Sequence, residues 1–209
     1  MKRLLMFFSL SIVSFAASAQ KITYGFTAGL NIGTIQASAQ GAGTTSTTSS
    51  HLSSLIDVFA DFRSGNFSLQ PAIALTGKGG NVTTGDGGVG QFALHYLEIP
   101  INVLYHVPTA ASDIYLGGGP YIAFGTGGTL SVNGPGGVYS QGVTFGGTGD
   151  FSTRDSGIDM LAGMQFKSGF LFRLSYDLGF ANILNSRGPE GGLGSFKTRT
   201  AGIAIGYAF

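Results

Sequence analysis

Residues 170–180 read FLFRLSYDLGF, and their alternation decides the fold. Phe170, Phe172, Leu174, Tyr176, Leu178 and Phe180 fall on one side of a period of two. Leu171, Arg173, Ser175, Asp177 and Gly179 fall on the other. A period of two is a β-strand, because successive side chains point to opposite faces. One face is bulky and apolar, and the other carries both charges of the segment.

The same beat recurs through the chain. In 22–32, Ile22, Tyr24, Phe26, Ala28, Leu30 and Ile32 oppose Thr23, Gly25, Thr27, Gly29 and Asn31. In 55–63, Ile56, Val58, Ala60 and Phe62 oppose Asp57, Phe59, Asp61 and Arg63. Comparable segments cover 67–76, 91–106, 113–125, 157–167 and 200–209, which predicts about eight strands. The strand charges Asp57, Asp61, Arg63, Glu98, Asp159, Arg173 and Asp177 all share the register opposite the large apolar residues; Arg199, at a strand mouth, is the exception. A charge facing lipid at mid-depth costs roughly 2 to 4 kcal/mol, so hydrocarbon on the bulky side enforces this segregation.

Composition supports an all-β, antiparallel transmembrane barrel. Charged residues make up only 10% of the 209, while Gly numbers 36, Phe 17 and Tyr 8. No apolar run beyond the N-terminus reaches the ~18 residues a membrane helix needs. A soluble lipocalin-like barrel also alternates, but its outer face meets water and is rich in Lys and Glu. Here the second face is mostly Gly, Ala, Ser and Thr, which suits the crowded interior of an eight-stranded barrel.

The opening MKRLLMFFSLSIVSFAASAQ has Lys2 and Arg3, an apolar stretch, then Ala17-Ser18-Ala19. This is the pattern of a secretory signal peptide over 1–19, with Ala17 and Ala19 at the cleavage site and a barrel domain over 20–209. The formal charge of +1 becomes about -1 once Lys2 and Arg3 leave, so no nucleic-acid partner is expected. With no cysteine there are no disulfides, so stability must come from closure of the barrel and from the membrane.

Connections alternate in length. Ser64-Gly65, 108–112 and Ser168-Gly169 are short, whereas 36–50 and 126–156 are long. Short periplasmic turns and long external loops are the outer-membrane pattern. The Gly-rich 126–149 reads as a mobile external loop. Tyr24, Phe62, Phe67, Tyr105, Phe166, Phe170, Tyr207 and Phe209 lie toward the periplasmic end, as an aromatic girdle does. Pro71, Pro100 and Pro120 each remove a ladder hydrogen bond, so bulges are expected there, and the phase slips by one residue between Leu94 and Leu97.

The segments KITYGFTAGLN, HYLEIPINVLYHVP, YLGGGPYIAFG, FLFRLSYDLGFANIL and AGIAIGYAF together resemble the PorT-like outer-membrane β-barrel family of Bacteroidetes. The resemblance implies a small outer-membrane barrel; many members have no assigned activity. Tyr207 and the terminal Phe209 look like the signal read by the barrel assembly machinery, with Ala204 where that signal usually has Gly.

Asp57, Asp61, Glu98, Asp159, Arg173 and Asp177 are the candidates for a polar network inside the barrel, since buried charges need partners. Such a network is either a structural plug or a constriction or proton path. His51, His95 and His106 show no Ser-His-acid spacing, and Gly77-Lys78-Gly79 lacks the spacing of a phosphate-binding loop. Neither catalysis nor a cofactor is expected. Outer-membrane lipid is the expected surroundings, and Arg187, Lys197 and Arg199 lie where they could meet anionic headgroups. The chain therefore reads as a non-enzymatic surface barrel, with a narrow channel or transport accessory as the alternative and a lipid-modifying enzyme as the third reading.

Overall fold

A computed structural model of the chain describes residues 21–39, 45–83, 89–134, 137–147, 149–185 and 194–209. These form ten strands: β1 (Lys21–Ala39), β2 (Thr45–Thr47), β3 (His51–Ser64), β4 (Phe67–Thr83), β5 (Val89–Pro108), β6 (Ser112–Gly134), β7 (Gly137–Gly142), β8 (Arg154–Phe166), β9 (Phe170–Gly179) and β10 (Gly194–Ala208). Each of β1, β3, β4, β5, β6, β8, β9 and β10 pairs antiparallel with the next, and β1 pairs with β10 from Gly25–Ala208 to Ala39–Gly194, closing a ring. Closure leaves no ring strand with a free edge, which is what a sheet in hydrocarbon requires. The two strands outside the ring are short: β2 folds back on β1, and β7 extends β6 as a hairpin.

The apolar face points outward along the ring. Leu174 is 48% exposed and Ile205 69%, while Thr27, Asn31 and Asp57 are buried. This inversion of a soluble core follows from the alternation, because the ring has room inside only for small and polar side chains plus a few rings. Glycine makes room for those rings: a methyl at Gly25 would overlap Phe59, and one at Gly163 would overlap Tyr115.

The short connections lie at one end. Gly65, at φ +62°, takes the left-handed conformation that lets β3 turn directly into β4. Outside the barrel at that end Tyr207 stacks edge-on against both Phe170 and Phe209, and Phe67 packs on Tyr105.

Three expectations need correction. No register shift accompanies Pro71, Pro100 or Pro120. Instead, each proline falls in a short lapse of one ladder, with the same register on either side: Phe59–Ala72 and Phe62–Leu69 around Pro71, Pro71–Ile101 and Ala74–Glu98 around Pro100, Pro100–Tyr121 and Val103–Gly118 around Pro120. Losing a donor costs a bond, but no residue is inserted. The one-residue insertion expected between Leu94 and Leu97 is present as a register shift at His95/Tyr96, but the extra residue, Thr126, is on β6. β5 itself keeps phase: Leu94, Tyr96 and Glu98 all face inward, because the lumen there is apolar and welcomes Leu94. Finally, much of 126–149 is strand where a loop is expected. Residues up to Gly134 continue β6, Gly137–Gly142 form β7, and Val143, Phe145 and Phe151 pack over the lumen. Arg187 and the segment 1–20 lie outside the described residues.

Candidate functional site

The inward register gathers charge from five strands. Asp57, Asp61, Glu98, Asp155, Asp159 and Asp177 are buried, together with Lys78 and Arg173. Ions so placed are tolerable only when paired and hydrogen-bonded.

Arg173 organises the first group. Its Nη1 donates to Asp57 Oδ1 at 3.2 Å and Oδ2 at 3.1 Å, and its Nη2 donates to Gln70 Oε1 at 3.1 Å. Thr27 Oγ1 donates to the same Asp57 carboxylate, and the guanidinium carbon lies 4.9 Å from the Phe59 ring centre.

Lys78 organises the second. It is closed from solvent, with Nζ 2.6 Å from Glu98 Oε2, 3.5 Å from Asp155 Oδ2 and 3.6 Å from Asp177 Oδ2. The ammonium also sits 4.1 Å from the Tyr121 ring centre. Thr198 Oγ1 donates to Asp155 Oδ2 at 2.8 Å. Asp159 stands directly across the β8–β9 ladder from Asp177 and accepts from Asn102 Nδ2 at 2.6 Å.

Of the network named from sequence, Asp57 and Arg173 meet directly, Glu98 and Asp177 meet through a lysine, and Asp159 lies beside them. Asp61 is tied to the Arg173 group through Gln70, whose Nε2 donates to it at 3.3 Å, and lies toward the short-turn end with His106 Nε2 3.7 Å away. Lys78 and Asp155 were missed. Both were legible: the inward beat Gln70, Ala72, Ala74, Thr76 reaches Lys78 if β4 is carried past Thr76, and Asp159, Gly157 leads back to Asp155. The glycines around Lys78 disguised the strand as a loop.

Above Lys78, at the long-loop end, Leu94, Tyr96, Tyr121, Ala123, Phe151, Ile183 and Leu184 form an apolar plug. Thr48 and Ser49 help cover that mouth, with Thr48 N donating to Ile35 O and Ser49 exchanging backbone bonds with Asn81. Between the two ion groups the lumen keeps a cavity of only about 30 Å³, bordered by Asn31, Glu98, Asn102, Asp159, Arg173 and Asp177.

The short-turn end opens into a vestibule of about 550 Å³ lined by Lys21, Asp61, Arg63, His106, Asp113 and Lys167. Arg63 pairs with Asp113. His106 bridges two further groups, with Nε2 2.8 Å from Ser68 Oγ and Nδ1 2.8 Å from Asp113 Oδ2. The spacing is that of a serine nucleophile, a base and an orienting acid. Ser68, however, is fully buried. A nucleophile must reach substrate, and this one lies inside the wall side chains. Among the described residues no group of His, Cys, Asp and Glu is placed to hold a metal ion.

Tyr207 and Phe209, the proposed assembly signal, lie outside the barrel at the short-turn end, ringed by Phe26 and Phe170. The cleavage residues Ala17 and Ala19 are outside the described residues.

Solved structures with similar chains include outer-membrane proteins of several bacteria. Ail, the attachment invasion locus protein of Yersinia pestis, is 13% identical, with 91% of this chain and 100% of that one covered and a TM-score of 0.44. OprG from Pseudomonas aeruginosa is 15% identical over 90% and 95% of the two chains, with a TM-score of 0.47. Neisserial surface protein A is 15% identical over 88% and 95%, with a TM-score of 0.42. No curated protein matches the chain. A family model for the outer membrane protein beta-barrel domain matches residues 17–185. With a closed antiparallel ring, an apolar exterior and an ionic interior, the chain belongs to the outer membrane protein beta-barrel domain family.

Proposed function

We propose that this chain is a closed, non-enzymatic barrel of the outer membrane that acts at the cell surface through its long-loop end, which faces outward. The observation that carries this is the double seal of the lumen: the Lys78 and Arg173 ion groups across its middle, and the apolar plug at the long-loop mouth. A solute would have to break several buried ion pairs and then displace packed aromatic rings. The loop end, by contrast, is built up rather than worn down, with the β6–β7 hairpin standing above the ring and exposing Val138 and Tyr139.

Export with a signal peptide cleaved after Ala19, recognition of Tyr207 and Phe209 by the barrel assembly machinery, and membership of the PorT-like branch of the family belong to the same reading. The quoted YLEIP segment and the C-terminal aromatic pair support them.

Planar-bilayer recording of the purified protein tests the proposal. A sealed lumen gives a silent membrane. Stable single-channel steps from the unaltered protein would replace this reading by the narrow channel.

A further inference from the structure

The outward register of the ring carries almost no charge, and what it carries has one sign. Among the described residues of the ring strands, the charged side chains on that register are Arg154, Lys197 and Arg199; no acid shares it. Their neighbours Asp155, Thr198 and Thr200 are buried in the lumen, which fixes the three basic residues to the outer face.

They also cluster. β9 ends at Gly179, between β8, which begins at Arg154, and β10, which carries the other two. Past that end the chain stays close to β8, with Phe180 N and Ala181 N both donating to Ser156 O. The carbonyl of Gly179 takes up Arg199, whose Nη1 donates to it at 2.5 Å and to Thr198 O at 2.9 Å. Arg199 is thereby held at the strand end. Among the described residues no carboxylate pairs with any of the three.

Immediately below lies the apolar exterior, with Tyr176 and Leu174 on β9 and Ile203 on β10 all exposed, while Phe180, just past the end of β9, is exposed beside the basic residues. A cationic rim directly above an apolar wall has the chemistry of an amphiphile with an anionic head. From this we propose that Arg154, Lys197 and Arg199 form a site on the outer wall for the phosphate of an outer-leaflet lipid, with an acyl chain against Tyr176 and Leu174. A soluble polyanion would share the phosphate contacts but gain nothing from the apolar wall, so the lipid is the fitting occupant. The inference rests on the orientation proposed above, in which the long-loop end meets the outer leaflet.

The test uses the mature protein in detergent micelles, titrated with bisphosphorylated lipid A and with its dephosphorylated form and read by native mass spectrometry. The triple variant Arg154→Gln, Lys197→Gln, Arg199→Gln is compared with His95→Gln, an exposed outward residue elsewhere on the ring. At about fivefold for each basic residue near an anionic surface, the triple variant should lose about 100-fold in binding of the phosphorylated lipid, and His95→Gln should not change it. Retained heat-modifiability of the triple variant shows that the barrel is folded. Binding unchanged in the triple variant, or equal binding of the dephosphorylated lipid, would overturn the site. Inorganic tripolyphosphate binding as tightly as the lipid would assign it to a soluble polyanion instead, and so would also overturn it. Orientation is read separately: Val138→Cys should react with an impermeant maleimide on intact cells. Labelling only after lysis would remove the proposed orientation without touching the lipid titration.

Discussion

Lys78 Nζ lies 2.6 Å from Glu98 Oε2 with neither side chain open to solvent, and the same ammonium is the nearest cation to Asp177. One lysine therefore answers several carboxylates. Lys78→Met should leave them without a counter-charge and destabilise the barrel by about 3 to 5 kcal/mol, the usual cost of breaking a buried pair from one side. The midpoint of the heat-modifiability transition in detergent reads this. Adding Glu98→Gln to Lys78→Met should restore part of the loss; no recovery would mean that the pair is not the source of the stability.

Arg173 is a matter of shape as well as charge. Its two terminal nitrogens serve Asp57 and Gln70 at once while the guanidinium lies over Phe59. A lysine has one compact ammonium and cannot hold both partners or stack. Arg173→Lys should therefore fall measurably short of wild type in the same thermal assay, and Arg173→Ala further still, by about 3 to 5 kcal/mol in all. Equal stability of Lys and wild type would reduce the contact to simple charge balance.

The outward face meets hydrocarbon, so a charge introduced there should be punished by depth. Leu174→Arg or Ile205→Arg should cost about 2 to 4 kcal/mol and lower the fraction of chain inserted into lipid vesicles. Val138→Arg, on the hairpin beyond the ring, should insert normally. If all three variants behaved alike, the exterior of the barrel would not be facing lipid.

Gly163 faces the Tyr115 ring inside the wall. Gly163→Val should force that ring out of place and destabilise the barrel by about 1 to 3 kcal/mol, as overpacking does. Combining it with Tyr115→Ala should relieve the part of the clash that falls on the ring, leaving the part against the Phe172 carbonyl, and a thermal double-mutant cycle measures the difference.

The Ser68–His106–Asp113 chain resembles a catalytic arrangement in its distances alone. With Ser68 sealed, a fluorophosphonate probe should leave the folded protein unlabelled. Labelling that disappears in Ser68→Ala would reopen the enzymatic reading.

Alternation by itself determined the class of fold, the number of ring strands, and which side of each strand faces lipid, because a period of two and the cost of charge in hydrocarbon are local rules acting on neighbouring residues. Asp57, Glu98, Asp159, Arg173 and Asp177 could be assigned to the lumen on that ground alone. Their partners could not. Arg173 and Asp57 are 116 residues apart, and Lys78 and Asp155 are 77; only closing the ring brings them together. The proline segments misled for a related reason: a missing donor is visible in sequence, but whether the ladder absorbs it or shifts register depends on the strands on both sides. The seal at the long-loop end was equally hidden, since Phe145, Phe151 and Ile183 sit in irregular segments with no period to read, and they become a plug only where the wall of the barrel gives them something apolar to cover.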